Sequence, residues 1–209
     1  MYTPKYFQHT DTVAIQDFIR EHGFGILISQ KDGNLMATHI PLELSEDGNK
    51  LTGHISKANP QWKSFTESGE VLVIFNGPHT YISSSWYNHR NVPTWNYMAV
   101  HAYGTIRTIE GEALFQSLAH LMNKYERDSM HPVTVESLSA EYITKAMQGV
   151  VGFEIVITKL EATHKLSQNR DRESYDNIIH ELKKREDADS AQIARAMEKN
   201  HNSLFNGKS

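Results

Sequence analysis

Apolar residues first recur with helical spacing. Val13, Ile15, Phe18 and Ile19 share one side, Thr10 offers an N-cap hydroxyl and Gly23 a stop. Beyond Gly23 the period falls to two. Residues 24–29, 35–44 and 51–56 read as strands, separated by Asp32-Gly33 and Asp47-Gly48. Such pairs supply the positive φ that tight hairpins need, so an antiparallel meander is expected. Asn59-Pro60 resembles an N-cap followed by proline at the first helical position, opening a short helix through Phe65. Two apolar runs, 71–75 and 81–86, then precede a loop over 88–93 and a long strand-like run over 96–109.

Helical spacing returns with Leu114, Leu118, Leu121, Met122 and Tyr125 on one face, and again with Val135, Leu138, Tyr142, Ile143 and Met147. Residues 151–160 alternate, with Val151, Phe153, Ile155 and Ile157 turned inward. Two short amphipathic helices are expected in the tail, from Tyr175, Ile178, Ile179 and Leu182, then from Ile193, Ala194 and Met197. Six or seven strands, mostly in hairpins and interrupted by helices, give a mainly β (α+β) chain: a small closed barrel with peripheral helices. The loop after Pro93 and the tail after Arg170 are the expected boundaries. The chain then divides into a barrel domain over 1–170 with inserted helices and a helical extension over 171–209.

Composition changes this picture little. The 209 residues are 39% hydrophobic and 22% charged, enough for one domain with a real core and unlike disordered or collagenous chains. No apolar run approaches the ~20 residues that span a bilayer. The polar, aromatic start MYTPKYFQHTD lacks a signal core, so a cytoplasmic protein is expected. The absence of cysteine removes disulfides and thiolate sites together. A formal net charge of −4 gives no global field toward nucleic acid, so any DNA contact needs a local patch. Lys183, Lys184, Arg185, Arg195 and Lys199 are the cations available for one near the C-terminus. Twelve histidines are scattered without a metal-binding spacing, and no dinucleotide, P-loop or nucleophile-elbow pattern occurs.

Three segments could carry chemistry. Residues 53–60 place a strand end, a hydroxyl (Ser56), a cation (Lys57) and an amide cap (Asn59) together, a combination that suits a phosphate. A plain cap beside a solvated lysine explains the same residues. Residues 165–170 gather Lys165, Ser167, Gln168, Asn169 and Arg170 after a strand, which suits a phosphate or the imide edge of a flavin. A polar turn ahead of an Asp171 helix cap is the alternative. Trp86, Tyr87, Trp95, Asn96 and Tyr97 offer flat surface for a planar ligand, or for an oligomer interface. His39 and His54 sit in adjoining strands, facing one another or a ligand phosphate.

Several long motifs carry a family resemblance. MYTPKYF at 1–7, THIPL at 38–42, GHISKANPQW at 53–62, VPTWNY at 92–97, VHAYG at 100–104 and KLSQNR at 165–170 are similar to the PaiB family. These are bacterial FMN-binding-type negative regulators of transcription, linked to protease synthesis and sporulation. The resemblance, over about residues 1–200, implies a split β-barrel of the pyridoxamine-phosphate-oxidase-like, FMN-binding kind. It implies a cytoplasmic homodimer with ligand sites at the subunit interface. It places the flavin phosphate near His54, Ser56, Lys57 and Asn59, with Thr38 and His39 on the neighbouring strand. Trp95, Asn96 and residues 165–170 then border the ring side. The Arg- and Lys-rich phosphate set of a true pyridoxamine-phosphate oxidase is missing, which implies weaker flavin affinity. A dimeric repressor whose barrel senses FMN or a similar ligand is the leading expectation, with promoter DNA as a candidate partner and indirect regulation as the alternative, since no helix-turn-helix pattern stands out. A flavin-dependent oxidoreductase is the rival, and a haem-binding or haem-degrading split barrel ranks below both.

Overall fold

The computed structural model describes residues 1–66 and 69–206. Eight strands form one antiparallel sheet: β1 (Gln8–His9), β2 (Phe24–Lys31), β3 (Asn34–Pro41), β4 (Glu43–Leu44), β5 (Lys50–Ser56), β6 (Val71–Ile82), β7 (Thr94–Ile109) and β8 (Val150–Lys165). Five α-helices accompany them: α1 (Thr12–Glu21), α2 (Gly111–Glu126), α3 (Ala140–Gln148), α4 (Arg172–Lys183) and α5 (Ala188–Phe205). Among the described residues no helix is long and apolar enough to cross a membrane.

The β2–β3 hairpin turns on Asp32 and Gly33, both at positive φ (50° and 77°), as the sequence pattern requires. At the second Asp-Gly pair only Gly48 has positive φ, and the Asp47 carboxylate organises the turn by accepting from Ser45 and from the Asn49 amide. The expected meander is not formed. The sheet order is β3-β2-β6-β7-β8-β5-β4, with β1 on β8, so β2 pairs with β6 and β5 with β8. The two apolar runs over 71–86 are one strand and a following short 3-10 turn, Ser84–Trp86. Val71, Val73 and Phe75 are buried, then Pro78, Thr80 and Ile82, so the inward phase slips by one residue near Asn76-Gly77.

Helix ends differ in detail from the sequence reading. Asp11, rather than Thr10, caps α1 by accepting from the Val13 and Ala14 amides, and Val13 faces solvent. Val135 lies in a separate 3-10 turn, Val135–Ser137, ahead of α3. The tail helices form, and α5 runs for 18 residues.

The described residues fall into two compact units. One contains residues 16–75 and 101–160. Its core includes Leu27, Val73, Phe75, Leu51, Phe153 and Ile155, with Phe65 edge-on to Phe153 at 5.3 Å. The other contains residues 1–15, 76–100 and 161–206, with a core of Ile82, Tyr87, Leu166 and the inner faces of α4 and α5.

Candidate functional site

The first candidate segment follows from the way β5 is packed. Leu51, Gly53 and Ile55 face inward, which turns Thr52, His54 and Ser56 to the opposite side. A Cβ on Gly53 would lie 2.8 Å from a Leu42 methyl and 3.0 Å from the Phe153 ring, so any larger residue would have to displace the Leu42 side chain. Beyond Ser56 the chain is pinned in both directions. The Lys57 amide donates to Gly149 O at 2.9 Å, and the Lys57 carbonyl accepts from the Trp62 indole at 3.0 Å. Asn59 caps a short 3-10 helix, Pro60–Ser64, by accepting from the Gln61 amide. The main chain around Lys57 is therefore fixed while its side chain is exposed.

Thr38 and Asn59 are engaged in a buried polar network. Asn59 Nδ2 donates to Thr38 Oγ1 at 2.9 Å, and Thr38 donates to Gln61 Oε1. Gln61 is 1% exposed, and its Nε2 reaches Leu27 O, Met36 O and the Ser29 hydroxyl. This network clamps the 3-10 helix to β2 and β3. His39 lies on the other face of β3, exposed and stacked near Phe24 at 6.3 Å. The structure thus separates His39 from Thr38, while Ser56 and Lys57 share one chain end.

Lys57 borders a groove of about 470 Å³ together with Trp62, Lys63, Thr66, Thr108 and Glu110, and its floor is Val150–Gly152. Lys63 Nζ lies 5.8 Å from the Trp62 ring centre, so the groove joins two ammonium groups, one carboxylate and an indole face. Lys63 and Trp62 are missing from the candidate set read from sequence. A 3-10 turn of five residues brings positions 57 and 63 to one groove, and apolar periodicity does not register so short an element. His54 lines a different, apolar groove. Burial pushes its imidazole pKa down, and its Nδ1 is enclosed with no hydrogen-bond partner among the described residues.

The second segment lies in the other unit. Lys165 Nζ donates to Thr94 Oγ1 at 2.6 Å, and burial followed by Arg170 lowers the pKa of its ammonium. Ser167 adopts φ 61° and donates to Asn96 Oδ1 at 3.0 Å, while Asn96 is fully buried and reaches Met197 Sδ. Gln168 folds back on its own loop, accepting from the Leu166 amide and donating to His164 O. The Arg170 guanidinium lies 4.5 Å from the Tyr87 ring centre, and Asn169 is exposed. Asp171 caps α4 by accepting from the Ser174 amide at 3.0 Å. Trp95, 53% exposed, stands edge-on to Tyr81 at 5.9 Å.

The cations near the C-terminus are mostly engaged. Lys183 pairs with Glu198, and Lys184 with Glu181 at 2.5 Å. Arg185 bonds Thr80 Oγ1 and Tyr81 O and stacks on Trp86. Arg195 and Lys199 are exposed.

Comparison with known proteins fits this geometry. Residues 1–159 match the family described as "Putative FMN-binding domain". The chain is 42% identical over 200 residues to the protease synthase and sporulation protein PAI 2 of Bacillus subtilis, covering 95% of this chain and 97% of that one. An uncharacterised protein of Emericella nidulans is 30% identical, covering 79% and 83%. Solved structures share the fold at low identity. One is a conserved hypothetical protein of Mycobacterium tuberculosis (TM-score 0.59, 16% identity, 79% and 91% covered). Another is the flavocytochrome Anf3 of Azotobacter vinelandii (TM-score 0.57, 16% identity, 78% and 72% covered). The sheet with its peripheral helices shares the split-barrel fold of these structures. With that fold and a match spanning nearly its whole length, the chain belongs to the PaiB family.

Proposed function

We propose that this protein is a homodimeric, cytoplasmic negative regulator of transcription that acts on protease-synthesis and sporulation genes and binds FMN. The groove bordered by Lys57, Lys63 and Trp62 carries the ligand part of the reading. Two ammonium groups suit a phosphate monoester, and the indole offers a flat apolar neighbour for a ring. The name of the Bacillus subtilis relative and the description of the matched domain support the regulatory and flavin parts respectively. In this proposal residues 165–170 and Trp95 reach the ring side from the second subunit, and the helices after Arg170 form an extension to the barrel.

Titration of the apoprotein with FMN, followed by flavin fluorescence and calorimetry, tests the ligand. Lys57→Ala is expected to weaken binding by ~1.5–3 kcal/mol, the range for a charged hydrogen bond. Equal affinity of the variant and the wild type would remove Lys57 from the site. A gel-shift titration against the regulated promoter at two salt concentrations tests the DNA contact. Because Lys183, Lys184 and Arg185 are engaged within the chain, a shallow salt dependence is expected. Affinity equal to that for random DNA would leave regulation to a partner protein. Bleaching of bound flavin by NAD(P)H would favour an oxidoreductase instead.

A further inference from the structure

We infer that Glu110 decides which ligand the groove of Lys57 and Lys63 accepts. The ligand class is a phosphate ester of a polyhydroxylated chain. Its hydroxyls donate to the Glu110 carboxylate while its phosphate meets the two ammonium groups. The inference rests on reading this groove as the FMN site, and it names the residue that selects the ribityl chain there.

The position of Glu110 follows from a corner in the chain. The strand β7 ends with Ile109 buried, so Thr108 and Glu110 on either side of it turn outward. Both line the groove that Lys57, Trp62 and Lys63 border from the end of β5 and the 3-10 turn after it. Glu110 occupies the N-cap position of α2, yet its side chain makes no capping hydrogen bond, and glutamate is not a favoured cap. Helix stability therefore does not account for this carboxylate.

Its neighbours are engaged where it is not. Arg107 is taken by Glu154 at 2.8 Å, and Glu112 accepts from Gln116 at 2.6 Å. Among the described residues the Glu110 side chain has no hydrogen bond or ion pair, and the same holds for the Lys57, Lys63, Thr66 and Thr108 side chains that share the groove. Two ammonium groups and a carboxylate thus line one concavity of about 470 Å³ without pairing. Such an arrangement favours a ligand that brings a matching group to each charge. A phosphate on a bare apolar chain would satisfy the lysines and be opposed by the carboxylate. A hydroxylated chain supplies O–H donors to that carboxylate, and hydrogen bonds to an ionised acceptor are the stronger kind. Glu110 therefore selects by attraction and by repulsion together.

The test uses the full chain, FMN, and an FMN analogue in which hydrogen replaces the ribityl hydroxyls, with both affinities read by fluorescence and calorimetry. Glu110→Gln keeps the size of the side chain and removes its charge. It should weaken FMN roughly tenfold and leave the deoxy analogue bound as tightly as before or more tightly. Glu110→Ala should act in the same direction, and it replaces Glu110→Gln if circular dichroism shows that variant misfolded. Lys57→Ala should weaken both ligands alike, through the phosphate that both carry. Glu110 variants that weaken FMN and the analogue equally, or neither, overturn the role of Glu110; the FMN reading then still stands if Lys57→Ala weakens both. If the wild type binds neither ligand, or if Lys57→Ala changes neither affinity, the reading of the groove falls and this inference falls with it.

Discussion

Two helix pairs of similar pattern end in opposite states. In α4 and α5 the inner residues are sealed: Tyr175, Ile178, Leu182, Ile193 and Met197 are each fully buried. Tyr175 also donates to Met197 O at 3.0 Å and meets Phe205 edge-on at 5.4 Å. In α2 and α3 the equivalent apolar faces border open volume. Apolar periodicity therefore says which side of a helix turns away from water, and leaves open what that side meets. The filled pair contributes core; the other pair leaves its apolar faces beside open volume.

The largest expected effect tests that contrast directly. Ile178→Ala should cost roughly 2–5 kcal/mol, because a fully buried isoleucine leaves a cavity that its packed neighbours cannot close. Ile143→Ala on α3 should cost under about 1 kcal/mol, since the space beside it is already open. Urea midpoints at constant m-value measure both. Equal losses would mean that the α2–α3 groove closes in solution.

Much of this architecture was legible locally. Asp32-Gly33 specified a hairpin, Asn59-Pro60 a capped helical start, and the heptad-like spacing of Tyr175, Ile178 and Leu182 a buried face, each within a few residues. Strand order was not, because β2–β6 and β5–β8 pairing is decided by contacts far apart in the chain. The single-residue phase slip in β6 also divided one strand into two apparent runs. At the candidate site, Lys57 was visible as a cation at a strand end. Lys63 was not, since only the 3-10 turn brings it to the same groove. Thr38 and Asn59 read as ligand donors in the sequence, but Gln61 between β2 and β3 engages them in a structural network.

Histidines sharpen the comparison by a smaller amount. His9 and His164 stack at 4.0 Å in the same unit as α4 and α5. Burial, then the neighbouring His9, holds the His164 pKa down at about 4, and burial lowers that of His9. The His164 ring is neutral at pH 7 when folded and regains a pKa near 6.5 on unfolding, and His9 is shifted in the same direction, so the unfolded chain binds more protons below that pH. Stability is therefore complete above pH 6.5 and falls as pH drops toward 4, by about 2–3 kcal/mol from His164. Denaturation at pH 7, 5.5 and 4 measures this, and His164→Phe should flatten the profile while retaining a ring against His9. An unchanged slope in the variant would place the acid sensitivity elsewhere, with His54 in the open groove the next group to replace.

The smallest effect separates the pairs by where a loss is felt. Ser139 caps α3 by accepting from the Tyr142 amide at 3.2 Å, and Asp171 plays the same part for α4. Ser139→Ala should cost α3 about 0.5–1 kcal/mol. Because α3 has no buried anchor among the described residues, that loss should appear as faster hydrogen exchange confined to residues 140–148, with the global midpoint unmoved. Asp171→Ala removes a cap from a helix whose inner face belongs to the core, so its loss should move the global midpoint instead. Exchange in α3 that matches α4 would mean the two pairs are equally anchored, and the contrast between them would fail at its weakest point.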